Sequence, residues 1–236
     1  MILAKLDALI EHLGSYDTPT VCNAIEVAQG RRGFDGFTHR MMHWSGAPDL
    51  RIVGFARTAR IAGRTAPKEP TTVLRERRMA YFRSMHAGLR PGIAVVEDVD
   101  GDAVLGAWWG EIHAQVHSKV FELEGAVTNG VMRDLGDIPD NFPVLAGAIG
   151  PSHGFVHVRE IGTSVQIFGM TVREGDLVHA DRHGAVTIPV DVHDKLEAAL
   201  DILQKSETIV LDPLKNGAVE FEQFEELWAE FESART

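Results

Sequence analysis

Two short words in this sequence have residue types suited to carbon chemistry: Gly110-Glu111, at the start of one predicted helix, and Arg133-Asp134, at what reads as the start of another. A helix start presents backbone N–H groups without intrahelical partners and the positive end of the helix dipole. Each start is therefore an anion site, and a glycine ahead of it lets backbone approach a ligand closely. Facing each other, the two would make a carboxylate pocket. Arg133 adds a planar fork for bidentate binding of that carboxylate, and Asp134 adds a hard oxygen ligand of the kind Mg2+ or Mn2+ prefers. The same Arg-Asp pair also suits a structural ion pair with an N-cap, and spacing alone leans to that plainer reading.

Other patterns fall away. Gly150-Pro151-Ser152-His153-Gly154 has the form of a nucleophile elbow, which needs a helix directly after the serine, whereas Phe155-Val156-His157-Val158 alternates like a strand. Asp98-Val99-Asp100-Gly101-Asp102 begins like a calcium loop but puts Trp109 where the bidentate glutamate belongs. His113 and His117 stand four apart beside Glu111, a spacing zinc sites use. They lack the H-E-x-x-H order and an identifiable third ligand, so both read as helix-surface histidines. There is no phosphate-binding glycine loop, and no lysine sits in the apolar strand context a Schiff base would favour.

The elements that must hold these residues follow from periodicity and punctuation. Residues 1–14 carry Ile2, Leu3, Leu6, Ile10 and Leu13 at helical spacing, unlike the basic head and continuous apolar run of a secretory leader. Thr18-Pro19-Thr20 reads as the cap and first turn of a second helix ending near residue 29. Alternation over 51–61 predicts a strand, 72–88 a helix, and 93–96 a buried strand. Trp109, Ile112, Val116, Val120 and Leu123 predict the next helix, with a short strand at 126–129 behind it. Residues 143–189 read as strand and turn, and two helices, 190–211 and 219–235, are separated by Asp212-Pro213 and Gly217. No linker or composition break divides the chain, which reads as one α/β domain over 1–236 with 190–236 as a helical C-terminal arm.

Composition narrows the partners. Acids outnumber Lys and Arg by 34 to 23, a net charge of -11, which speaks against nucleic acid as the main ligand. The single cysteine, Cys22, precludes an intrachain disulfide and fits a cytoplasmic setting, and no run approaches the roughly 20 apolar residues needed to cross a membrane.

The run WGEIHAQVHSKVFELEGAVTNGVMRDLGD, preceded by LRPGIAVVEDVDGDAVLGA and followed by GDLVHADRHGAVTIP, resembles the RraA-like family. That family holds class II 4-hydroxy-4-methyl-2-oxoglutarate / 4-carboxy-4-hydroxy-2-oxoadipate aldolases and non-enzymatic regulators of ribonuclease E. The resemblance covers about residues 17–217 and is most specific from Gly110 to Asp137. Arg133, Asp134 and Asp137 match the aldolase pattern, and Glu111 lies one residue farther upstream than it asks. The resemblance implies a swivelling β/β/α fold with helical N- and C-terminal segments, a homotrimer or hexamer, and a Mg2+ or Mn2+ ion held by Asp134 with waters around it. It implies that Arg133 binds the 2-keto acid substrate and neutralises its enolate. Glu111 would deprotonate a metal-linked water, and the Ile112 and His113 N–H groups beside Gly110 would receive the pyruvyl carboxylate. Glu207 is the best match to a family glutamate reaching the site from a neighbouring subunit.

These residue types suit the reaction. Breaking a C–C bond beside a 2-keto acid builds negative charge on the keto oxygen, which a cation and an arginine stabilise as it forms. Decarboxylation of oxaloacetate passes through the same pyruvate enolate. The regulator branch supplies the rival expectation, a protein-binding role without turnover.

Overall fold

The computed structural model describes residues 2–235; Met1, Thr236 and the side chains of Ile2, Leu3 and Ala4 lie outside the described residues. The chain runs α1 (Ile2–Leu13), α2 (Thr18–Gln29), β1 (His43–Trp44), β2 (Ile52–Ala62), α3 (Thr71–His86), β3 (Gly92–Asp98), β4 (Ala107–Trp109), α4 (Glu111–Lys119) and β5 (Leu123–Met132). It continues through β6 (Val144–Ile149), β7 (His157–Ile161), β8 (Val165–Ile167), β9 (Met170–Val172), β10 (Leu177–Asp181) and β11 (Gly184–Ile188) to α5 (His193–Asn216) and α6 (Phe221–Arg235). Among the described residues, no helix is long and apolar enough to cross a membrane.

A mixed sheet carries most of the strands in the order β1-β6-β5-β3-β2-β10-β11, with β4 added beside β5 and β7 beside β2. Its centre is parallel: β2 with β3, β3 with β5, and β5 with both β4 and β6. Strand alternation divides the core between its faces. Ala94 and Val96 of β3, with Val144 and Ala146 of β6, point to a face covered by Tyr81 and Met85 of α3 and Ala114 of α4. The intervening Ile93, Val95 and Leu145 meet Val165, Ile167, Met170 and Val172 of the β8–β9 hairpin on the other face. Leu13 of α1, Val21 and Ile25 of α2, and Leu196, Leu200 and Leu203 of α5 form a third cluster over Val53 and Phe55.

Local signals account for several boundaries. Asp17, one residue ahead of the expected cap at Thr18, accepts the Thr20 N–H at 2.9 Å and starts α2, and Gly30 ends it at φ 65. Other boundaries differ from expectation. Trp109 and Leu123, counted into one helical stripe, belong to β4 and β5, and β5 is more than twice as long as the strand expected at 126–129. Its neighbours β3 and β6 pair along both edges, so tertiary pairing extends it beyond what its sequence suggests. Arg133 and Asp134 do not begin a helix: they follow the end of β5 at Met132 and enter a turn in which the Asp137 N–H donates to the Asp134 carbonyl at 3.0 Å. Finally, α5 runs through Pro213 to Asn216. The proline lies in part-exposed last turns, where water can take the carbonyl it leaves unpaired.

Candidate functional site

The site lies where β4 and β5 end side by side, at the carboxyl edge of the parallel strands, the place where open α/β sheets bind ligands. Trp109 pairs with Met132, and the next residue along, Arg133, donates its N–H to the Trp109 carbonyl at 2.9 Å. Chain exit from β4 at Gly110 is thereby set against chain exit from β5 at Arg133. A Cβ on Gly110 would collide with Asp134 Oδ2 and sit 3.2 Å from Arg133 Cγ, so the approach requires glycine. Asp134 itself holds φ 58, a left-handed conformation that aspartate tolerates better than most residues and that tends to be kept where geometry matters.

Asp134 Oδ2 accepts the Glu111 N–H at 3.1 Å, capping α4 from another part of the chain, and lies 3.4 Å from Arg133 Nε. Asp134 Oδ1 has no partner among the described residues. Gly110 supplies no side-chain cap, and the Ala114 N–H already donates to the Gly110 carbonyl, which leaves the Ile112 and His113 N–H groups as the open donors of the first turn. The second helix start expected at Arg133-Asp134 is absent, so one helix terminus, a strand end and a turn build this wall in place of two facing helices.

These groups open onto a pocket of about 480 Å³. Gly110, Ile112, His113, Arg133 and Asp134 form one wall, and Trp108 and Ala107 lie beneath. The rest of the lining comes from Leu74 and Arg78 of α3, Pro67, and residues 153–157. Arg78, which makes no ion pair among the described residues, was not foreseen; in the sequence it is one of several arginines on a helix. His153, Phe155 and His157 were also missed, because the glycine-bounded loop was weighed only for Ser152. Pro67, ahead of α3, and Trp108 of β4 complete the apolar part of the lining.

Beneath the pocket the two α4 histidines are not the surface pair expected. His117 is fully buried, and its Nδ1 donates to the His113 carbonyl at 2.6 Å. Its Nε2 is then an acceptor and takes the Tyr81 hydroxyl at 2.7 Å, while Trp108 Nε1 donates to that hydroxyl at 3.4 Å. The buried stripe of α4 is Ala114 and His117; Ile112, expected on the apolar face, is 73% exposed at the pocket. His113 lies edge-on to Trp108, with ring centroids 4.4 Å apart. Burial, and after it the charges of Arg78 and Arg133, push its imidazole down to about 4, so the ring is neutral at pH 7. Burial pushes His117 down to about 3.

The Glu111 side chain is exposed and is not part of the pocket lining, and Asp137 is exposed on the turn after Asp134. Glu207 sits half-buried on α5, and it too is absent from the lining within one chain. Of the residues expected at the site, Gly110, Ile112, His113, Arg133 and Asp134 come together in one wall, and Glu111 joins them through its backbone.

The Aldolase/RraA model of the RraA-like family matches residues 18–187. The chain belongs to the RraA-like family. Its matched region runs from the first residue of α2 into β11 and contains every residue that lines the pocket. No curated protein matches the chain significantly. Among solved structures it is similar to an uncharacterized protein from Pseudomonas syringae pv. tomato, at 17% identity and TM-score 0.66 over 98% of each chain. It is also similar to RraAS2 of Streptomyces coelicolor, described as an unusual member of the RNase ES inhibitor RraA protein family, at 23% identity and TM-score 0.60 over 85% of this chain and 94% of that one. A third structure, described as among novel cellulases from microbes associated with the gut ecosystem, has 18% identity and TM-score 0.64 over 86% of each chain. At such identities these likenesses establish the mixed α/β RraA-like fold. The family holds both aldolases and ribonuclease inhibitors, and its aldolases use divalent metals. The donor set here suits such an ion. Among the described residues no three His, Cys, Asp or Glu side chains cluster as a metal cage. One carboxylate with an open oxygen, leaving the rest of the shell to water and substrate, is the arrangement Mg2+ accepts and structural zinc does not.

Proposed function

We propose that this RraA-like protein is a divalent-metal-dependent carbon–carbon lyase that cleaves 4-hydroxy-2-keto acids to pyruvate and also decarboxylates oxaloacetate. The observation that carries this reading is the convergence on one pocket wall of the Asp134 carboxylate, the Arg133 guanidinium and the open Ile112 and His113 N–H groups. Asp134 would hold Mg2+ or Mn2+ through its free oxygen, and the ion when bound supplies Lewis-acid stabilisation of the keto oxygen. Ile112 and His113 N–H receive the pyruvyl carboxylate at the positive end of α4. Arg133 lies beside that carboxylate and the keto oxygen and offsets the negative charge as the enolate forms. Gly110 keeps the gap between them open, and the buried Trp108 gives the pocket an apolar surface beside them.

Glu207 of a neighbouring copy completes the site on this reading, in a homotrimer or hexamer, since α5 of the same chain lies elsewhere. The test is pyruvate release from oxaloacetate with Mg2+ or Mn2+, with and without a chelator, in the parent and in Asp134→Ala. Turnover that needs metal and is lost in the variant supports the reading. No metal-dependent turnover, together with stoichiometric capture of a protein partner, moves the chain to the regulator branch of the family.

A further inference from the structure

The pocket that Asp134 lines is also lined by an imidazole held as a proton acceptor. His153 Nδ1 lies 2.8 Å from the Gly154 carbonyl oxygen. A carbonyl only accepts, so the ring proton sits on Nδ1 and the Nε2 lone pair is left over. Nε2 has no partner among the described residues, and the residue is exposed where it lines the pocket.

The loop that presents this ring is fixed by backbone bonds at several points. The Ala107 N–H donates to the Ser152 carbonyl at 2.9 Å, the Phe155 N–H to Gly63 at 2.8 Å, and the Val156 N–H back to His153 at 3.2 Å. Ser152 Oγ accepts the Gly154 N–H at 3.1 Å, so the serine of the elbow-like motif shapes the turn and the histidine beside it faces the pocket. A Cβ on Gly106 would stand 2.5 Å from the His153 carbonyl oxygen, so glycine is needed for the loop to dock on β4. The buried His157 adds another bond, its Nδ1 donating to the Phe155 carbonyl at 2.7 Å.

We propose that His153 is the general base of the retro-aldol step, taking the proton of the substrate's 4-hydroxyl; this rests on the lyase reading above. The O–H bond breaks and its proton goes to Nε2. The oxygen's electron pair forms the new carbonyl at C4, and the C3–C4 pair passes into the pyruvate enolate held at Arg133. The imidazolium then returns that proton to C3, which gives pyruvate and restores the base with no added reactant. Glu111, expected in a proton-accepting role, has its side chain outside the pocket lining. Oxaloacetate has no 4-hydroxyl to deprotonate, and the enolate left when CO2 departs takes its C3 proton from solvent, so its decarboxylation has no use for this base.

The experiment compares the kcat for cleaving 4-hydroxy-4-methyl-2-oxoglutarate with the kcat for decarboxylating oxaloacetate in the parent, His153→Gln and His153→Leu. The ratio of the two is expected to fall about a hundredfold in both variants, in the range general-base removal produces. Glutamine can accept a hydrogen bond but cannot take the proton, so a parent-like ratio in His153→Gln overturns the base role. So does a parallel fall of both activities. A parent that decarboxylates no oxaloacetate overturns the lyase reading itself, which the variants alone cannot do. Independently of turnover, nitrogen-15 spectra of the ring are expected to show the Nδ1-protonated tautomer, and an Nε2-protonated ring overturns the assignment.

Discussion

Asp134 Oδ2 stands over Gly110, close enough to accept the Glu111 N–H at 3.1 Å and too close to admit a Cβ on the glycine. Two chain segments separated by all of α4 and β5 therefore meet with backbone against carboxylate. The contact caps a helix and aims the candidate metal ligand at once.

Gly110→Ala is expected to fold, because the Gly110 backbone is extended at φ -162 and alanine adopts that conformation freely. The added methyl must push Asp134 aside. A displacement of that kind lowers kcat about a hundredfold. Oxaloacetate decarboxylation and thermal melting, measured together, check both halves; parent-like activity would show that the close approach has no functional role.

Asp134→Asn separates structure from chemistry. Asparagine tolerates the left-handed backbone and can still accept the Glu111 N–H, so stability should change by less than about 1 kcal/mol. Loss of the negative charge should weaken Mn2+ binding at least about tenfold by titration calorimetry, with activity falling in step. Unchanged Mn2+ affinity would place the metal ligand elsewhere.

Glu207 is tested by mixing. Asp134→Ala and Glu207→Ala are each expected to be inactive alone. Oligomers reassembled from equal amounts of the two should recover about a quarter of the parent sites, because a random neighbour pair then sometimes unites an intact Asp134 with an intact Glu207. No recovery, or a fully active Glu207→Ala, removes that residue from the site.

His117 links pH to stability. Folded, it remains neutral down to about 3; unfolded, it takes a proton below about 6.5. The unfolded state binds the extra proton between those limits, so stability falls as pH falls through that window, by about 1.4 kcal/mol per pH unit where the difference is complete. His113, pushed down to about 4, acts in the same direction. Asp98, raised to about 6 mainly by burial, acts oppositely, since there the folded state holds the proton. Denaturant unfolding of His117→Phe between neutral pH and pH ~5 should be less pH-dependent than that of the parent. Equal slopes would show that the buried ring takes up its proton in the fold. His117→Ala should cost about 3 kcal/mol, from the cavity and the unpaired Tyr81 hydroxyl.

Order and type of most elements were legible in the sequence because their signals are local. Thr18-Pro19-Thr20 marks the start of α2 to within one residue, and the alternation of 51–61 marks β2. Helix α4 and strand β5 were legible in outline only. Trp109 and Leu123 fall at helical spacing by coincidence, and whether each joins a strand depends on pairing with distant chain. His117 looked like a surface residue because a spacing of four says that two side chains share a face, not what that face meets.

The sequence by itself determined the family and one part of the candidate site. Gly110 and Arg133-Asp134 flank one helix–strand unit, α4 followed by β5, and the return of that unit alongside β4 brings them to one sheet edge. The tertiary structure alone decided the rest of the pocket lining: Arg78 from α3 and His153 from loop 150–156 reach the pocket through contacts between residues far apart in sequence. It also decided that Arg133-Asp134 is a strand end with a left-handed turn and not a helix start, because the pairing of β5 carries extended backbone up to Met132. Short-range spacing encodes direction and phase along one element. Which elements then face each other depends on burying all three apolar clusters at once.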